Sequence, residues 1–187
     1  MSPLPLIRPM LATAGPIPEK DDGRFAVEMK WDGVRAVSYW DDGQLRLLSR
    51  NDNDVTAGYP ELAELGSLLG AHNAIVDGEI VAYDRGRPSF EALQARMHVR
   101  GAKVKQLAAD VPVTLLLFDI MQLDGKATTG LTYTQRRSLL ESLELAGTHV
   151  LSPPAFHEAP RTVLAASRAQ GLEGVVAKAV DSIYLPG

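Results

Sequence analysis

The chain has 187 residues, 45% hydrophobic and 22% charged, with a formal net charge of −4 at pH 7 and no cysteine. That length suits one globular domain, in one or two lobes, with a substantial core, while the lack of cysteine excludes disulfides and thiolate metal sites and no apolar run approaches a membrane span. The acidic balance argues against binding nucleic acid through bulk charge, although a local basic face remains open.

In chain order, Met1-Ser2-Pro3-Leu4-Pro5 has no basic stretch followed by an apolar one, so no secretory leader is expected and a cytoplasmic location fits. Residues 3–18 are rich in proline and small side chains and read as an extended lead-in. Phe25, Val27 and Met29 then alternate with Ala26, Glu28 and Lys30. This period of two predicts a half-buried strand with the apolar set on one side and Glu28 and Lys30 on the other. Asp32-Gly33 turns the chain, and residues 34–40 resume as a strand. Asp41-Asp42-Gly43 predicts a hairpin turn into a strand carrying Leu45 and Leu47, which ends at Ser49-Arg50-Asn51. Residues 60–69 place Leu62, Leu65, Leu68 and Leu69 at helical spacing, with Pro60 at the start and Gly70 past the end.

Residues 74–83 read as a strand containing Asp77-Gly78-Glu79. Residues 89–98 predict a helix capped by Ser89, with Phe90, Leu93 and Met97 on one face. Residues 100–109 fit a loop or a weak helix equally. The apolar run 111–121 predicts a strand buried on both faces, and Asp124-Gly125 turns the chain. Thr132-Tyr133-Thr134-Gln135 is a capping box opening a helix with Leu139, Leu140 and Leu143 inward and Gly147 at its close. Residues 161–170 predict a helix closed by Gly171, and residues 173–178 the last strand. Strand runs joined by hairpin turns, with helices between some, predict an α+β fold of mainly antiparallel sheets flanked by helices.

Lys30 stands at a strand end, beside Asp32 and before a turn. A lysine is a nucleophile only when its amine is neutral, which burial or a nearby cation promotes. Pattern alone makes Lys30 an ordinary surface charge paired with Asp32. Competing chemistries lack their motifs. There is no G-x-x-x-x-G-K-[ST] phosphate loop, and His72, His98, His149 and His157 show no H-E-x-x-H spacing.

Lys30-Trp31-Asp32-Gly33-Val34-Arg35 resembles the K-x-D-G-x-R motif of ATP-dependent DNA ligases, RNA ligases and mRNA capping enzymes. Its companions follow in family order: Ser49-Arg50-Asn51, Asp77-Gly78-Glu79, Phe118-Asp119, and Glu173-Gly174-Val175-Val176-Ala177-Lys178. Arg8-Pro9-Met10-Leu11-Ala12 is similar to the entry of bacterial ligase domains of the ligase D and ligase C type. The resemblance implies the nucleotidyltransferase (ATP-grasp-like) fold. It implies that Lys30 attacks the ATP α-phosphate to form lysine–AMP, and that AMP then passes to a DNA 5′-phosphate for nick sealing in DNA repair.

Residue by residue, the resemblance assigns Glu28 to the adenine amino group and Phe118 to stacking on the purine. It puts Arg35 and Arg50 near the nucleotide, Arg50 also near the DNA 5′-phosphate. Glu79 would contact ribose and assist the metal, Glu173 would ligate magnesium or manganese, and Lys178 would face the phosphates. Strict alternation would set Glu173 and Lys178 on opposite faces unless Gly174 permits a bulge. Implied partners are ATP, nicked or broken duplex DNA and a DNA end-binding repair protein, with no membrane, in a bacterial cytoplasm at the nucleoid. The family's x-W-L-K-x-K motif and oligonucleotide-binding (OB) barrel do not follow Gly187. The expectation is therefore an adenylation domain over residues 1–187, truncated before that motif, without the barrel and impaired as an enzyme. The alternatives are a nucleotide-binding module with little turnover, or an RNA ligase or capping-type nucleotidyltransferase.

Overall fold

The computed structural model describes residues 4–18 and 23–187. The first residue of the expected lead-in, and residues 1–3 of the stretch read for a leader, lie outside the described residues. In chain order the elements are β1 (Phe25–Lys30), β2 (Val34–Asp41), β3 (Gln44–Ser49), α1 (Glu64–Leu69), β4 (Ala74–Asp84), β5 (Arg87–Pro88), α2 (Phe90–Gln94), α3 (Lys103–Asp110), β6 (Val113–Leu123), β7 (Lys126–Ala127), α4 (Tyr133–Ser142), β8 (Val150–Leu151), α5 (Pro160–Ala169) and β9 (Gly174–Ala179). The expected α+β class with mainly antiparallel pairing is what forms. The larger sheet runs β3-β2-β4-β6-β7, with β5 on β4 and β8 parallel to β6; β1 pairs antiparallel with β9 in a sheet of their own.

Short turns account for much of the meander. Asp42-Gly43 and Asp124-Gly125 carry two successive positive φ angles, as does Arg85-Gly86. That backbone twist matches the twist of flanking antiparallel strands. The Asp32-Gly33 turn is different. It joins β1 to β2, which belong to separate sheets. A Cβ on Gly33 would stand 2.2 Å from the Ile80 carbonyl oxygen and 3.0 Å from Glu79 Cγ. Only hydrogen fits there, so β1 ends hard against β4.

Alternation along the larger sheet makes two cores. Ala36, Leu47, Val76, Ile80, Leu115 and Leu117 face the helices, meeting Leu62, Leu65, Leu93 and Leu140. Val37, Tyr39, Leu48, Ile75 and Met121 face the other way, against Tyr184 and against Leu4, Ile7 and Met10 of the lead-in. Arg35 and Glu79 are cross-strand partners, as are Val37 and Asp77, so all four share this second face. In the β4–β6 ladder Asp77 pairs with Asp119 but Gly78 with Leu117, which leaves Phe118 as the extra residue of a bulge. A bulge re-aims the side chain it carries. Phe118 belongs to neither core.

Several expected boundaries move. β1 is not half-buried: Ala26, Val27 and Glu28 are all buried, because α5 packs on the small sheet and Phe156 bridges Val27. Residues 60–63 wind as a 3₁₀ turn before α1 begins. Ser89 does cap α2, its hydroxyl accepting from the Ala92 amide, yet the helix stops at Gln94. Beyond it the amides of Arg96 and Met97 bond three residues back, and the Arg96 side chain is drawn inward to Glu61, Gly58 and Val111. Residues 103–110, left open by the sequence, are helical. The Thr132 capping box forms as expected. Gly147 does not close α4, which ends at Ser142 with Glu144 left-handed. Gly147 instead lies where a Cβ would strike the Glu64 carboxylate, which accepts the Thr148 and His149 amides.

Gly33→Ala should lower the unfolding free energy by about 1–3 kcal/mol, the usual cost of overpacking a close contact. Urea denaturation measures it; an alanine variant as stable as the parent would mean that the Ile80 carbonyl simply moves aside.

Candidate active site

The site lies where the β1–β9 sheet meets the second face of the larger sheet. At the end of β1, the Lys30 ammonium is ion-paired with the Glu173 carboxylate. Both side chains remain nearly half exposed, at 42% and 47%, so a dissolved ligand can reach them. Glu173 precedes β9, whose first residue, Gly174, has φ +155°, which side-chain-bearing residues rarely adopt. The β1–β9 register runs without a shift, with Lys30 opposite Gly174, Glu28 opposite Val176 and Ala26 opposite Lys178. Opposite residues share a face. Lys178 is therefore on the face of Glu28 and Lys30, and the backbone at Gly174, rather than a bulge, delivers Glu173 to the same place.

Two residues back along β1, Glu28 is buried. The Tyr133 hydroxyl donates to its Oε1 at 2.6 Å. Lys178 Nζ meets Oε2 at 2.8 Å, and Arg137 Nη1 lies 3.8 Å from Oε1. Burial first, and the Glu28 carboxylate second, push the Tyr133 phenol far above its usual range, so it keeps the proton it donates to Glu28. Lys178 Nζ also sits 4.9 Å from the Phe118 ring centre and 5.1 Å from that of Tyr133, and donates to the Phe118 carbonyl. The structure thus groups Lys178 with Glu28 and Phe118.

Arg35 completes the cluster. Its guanidinium grips both Asp77 oxygens at 2.6 Å and lies 4.7 Å from the Phe118 ring centre. Asp77 is fully buried and accepts a further bond from the Tyr184 hydroxyl at 2.6 Å. That hydroxyl accepts the Met10 amide, and Arg35 donates to the Met10 carbonyl. Glu79, opposite Arg35 on β4, has its carboxyl pushed up to about 7. Burial is the main cause, Asp77 and Asp32 add to it, and Arg35 and Lys30 oppose it.

Of the residues singled out in the sequence, Lys30, Glu173, Glu28, Lys178, Phe118, Arg35 and Glu79 come together. Arg50 does not join them. It is exposed, in a cleft of about 300 Å³ lined also by Arg8, Pro9, Leu11, Asn51, Asp52 and Gly187. Among the described residues, no three His, Cys, Asp or Glu side chains converge as a ready metal site, and no helix is long and apolar enough to cross a membrane. Asp77, Tyr133, Arg137 and Tyr184 were missed as site residues. A signal existed for three of them: Asp77 opens the Asp77-Gly78-Glu79 motif, Tyr133 lies inside the capping box, and Arg137 follows one turn later on the same helix face.

Known proteins provide an independent comparison. A sequence profile of the ATP dependent DNA ligase domain matches residues 9–187. The multifunctional non-homologous end joining DNA repair protein LigD of Mycobacterium tuberculosis is 40% identical over 182 residues, covering 97% of this chain and 22% of that protein. DNA ligase C2 of Mycolicibacterium smegmatis is 34% identical over 193 residues, covering 98% of this chain and 52% of that protein. A solved structure of mycobacterial DNA ligase D complexed with ATP and MES superposes with a TM-score of 0.83 at 40% identity, covering 97% of this chain and 56% of that one. The chain thus spans less than two thirds of each of these relatives.

The raised Glu79 carboxyl generates a test. In the unfolded chain it ionises near 4.5, in the fold at about 7. Between those values the folded state holds the extra proton, so its stability falls as pH rises. Glu79→Gln removes that effect and should gain stability over the parent as pH climbs through the interval, levelling off above it at about 3 kcal/mol at most. Urea denaturation below, within and above the interval measures this; a pH-independent difference would contradict the assignment.

Proposed function

The chain belongs to the ATP-dependent DNA ligase family, and from that premise we propose that residues 1–187 form an adenylation domain in which Lys30 carries AMP. The lysine nitrogen bonds the α-phosphorus of ATP, the bond from that phosphorus to pyrophosphate breaks, and the amine gives up a proton. AMP then passes to a DNA 5′-phosphate, and a neighbouring 3′-hydroxyl displaces it as the strand is joined.

The observation that carries this reading is the division of one strand face into two ends. Glu28 and Lys30 share the face of β1 at a separation of roughly 7 Å along the strand. At the Glu28 end stand Phe118 and Lys178; at the Lys30 end stand Glu173 and Glu79. The first end suits a purine, offering an aromatic ring for stacking and a carboxylate to accept an amino group. Lys178 belongs to this base end in our reading, and Arg35 backs the ring. The second end suits phosphates and a cation.

Glu173 and Glu79 supply the carboxylate oxygens a hard divalent ion takes. Glu79 is cross-strand from Arg35 and within the electrostatic reach of Lys30, which places its carboxyl at this end of the face. Magnesium or manganese held there would neutralise charge on the triphosphate. Arg50, exposed beside Arg8 and apart from the cluster, is assigned to the DNA 5′-phosphate side. Duplex DNA with a nick or break is the proposed second substrate, because two of these relatives are named DNA ligases. A DNA end-binding partner, and action at the bacterial nucleoid, rest on the end-joining name of the LigD relative.

Incubation with ATP labelled at the α-phosphate should leave label on the parent protein and none on Lys30→Ala, while label at the γ-phosphate should stay on neither. Equal α-labelling of the two proteins would overturn the assignment of the nucleophile. Phe118→Ala should weaken ATP binding by about 1–3 kcal/mol, the worth of stacking one base on an aromatic ring. Because Phe118 lies outside both cores, the variant should stay folded. A folded variant with parental affinity in titration calorimetry would defeat the stacking role.

A further inference from the structure

We propose that Tyr133 and Arg137 are positioning residues that fix Glu28 as an acceptor for the exocyclic amino group of the base, and so set a preference for adenine over a 6-oxo purine. This rests on the nucleotide reading above and adds to it the two residues on which base choice depends.

A carboxylate buried as an ion is costly unless donors and cations surround it. Glu28 is 6% exposed. Its two oxygens offer about four acceptor directions. The Tyr133 hydroxyl takes one on Oε1 and Lys178 one on Oε2, which leaves room for an amino group. A 6-oxo group in that position would set oxygen against oxygen, two acceptors with no proton between them. A buried polar group left unpaired is what makes such a site reject the wrong partner strongly.

That discrimination holds only while the Glu28 carboxylate stays aimed. Tyr133 donates its hydroxyl to Oε1 at 2.6 Å. Arg137 is a buried cation whose other nitrogens are already fixed: Nε donates to Glu141 at 2.7 Å and Nη2 to the Pro153 carbonyl. Its Nη1 is buried with no hydrogen-bond partner and lies 3.8 Å from Glu28 Oε1. An unpartnered donor held in place by two others, beside a carboxylate, supplies fixed positive potential there. Both residues come from α4, one turn apart. The helix start is pinned by the Thr132–Gln135 capping box and by Thr134, whose amide and hydroxyl donate to the Val180 carbonyl at the end of β9. The helix terminus is thereby indexed to the strand pair that carries Glu28.

The test compares equilibrium binding of ATP, GTP and purine riboside triphosphate, which lacks any group at position 6, to the parent, Tyr133→Phe and Arg137→Gln. In the parent, ATP should bind best. In Tyr133→Phe its advantage over purine riboside triphosphate should shrink about tenfold or more, the loss expected for one charge-assisted hydrogen bond. Arg137→Gln should move the ratio in the same direction. A purely structural role would lower the melting temperature and weaken all three nucleotides equally, leaving the ratio unchanged. That result, or unfolding of both variants, would overturn the proposal. If the parent binds ATP selectively without labelling Lys30, the adenylylation reading fails while the base-selection test stands; if the parent binds no ATP, both fall.

Discussion

Removing a carboxylate from water costs several kcal/mol unless cations and donors meet it in good geometry, and this chain buries three around one site. Glu28, Asp77 and Asp119 are each almost inaccessible. Glu28 is met by Lys178, Tyr133 and Arg137, Asp77 by Arg35 and Tyr184, and Asp119 by Arg136. Arg136 also donates to the carbonyls of Leu131 and Ser182 and stands over the Tyr184 ring. These pairings link β1, β2, β4, β6, β9, α4, the lead-in and the carboxy-terminal segment. Each pair can form only if several of those elements are in place together, so the charges specify one arrangement of two sheets that share few backbone bonds. Breaking one partner of such a pair is more damaging than replacing both, because it strands a buried charge.

The same network shows how, in the proposed reading, one strand face would serve two chemistries. The base end is rigid: Glu28 is locked, and Phe118 is thrust out by a bulge and flanked by Arg35 and Lys178. The phosphate end is loose by comparison. Lys30 and Glu173 meet on half-exposed side chains, and Glu79 retains its proton until about pH 7. An incoming polyanion and its cation can rearrange exposed pairs at little cost, since such pairs are individually weak. In that reading recognition would be built in, while the groups at the Lys30 end remain free to change partners.

Local features of this fold were legible in the sequence and non-local ones were not. The Asp42-Gly43 and Asp124-Gly125 turns, the Thr132 capping box and the apolar strand through Leu115 and Leu117 each depend on a few consecutive residues, and all formed as read. Helix α2 ended early because Arg96 found a buried partner in Glu61, thirty-five positions away in the chain. The bulge at Phe118 is a property of register between two strands, and the placing of Glu173 depends on one glycine dihedral. Alternation could express neither. The site itself was legible only through resemblance, because pattern made Lys30 an exposed charge and Glu28 a solvated one. Tyr133 and Arg137 reach the cluster through their contacts with Glu28, which no motif of reacting groups reveals.

Peptide mapping by mass spectrometry of the protein after exposure to ATP and magnesium tests the central claim most directly. The account predicts the mass of one adenylyl group on the peptide containing Lys30, at that side chain. An adenylyl group on Lys178 or another residue, or none at saturating ATP and metal, would contradict it.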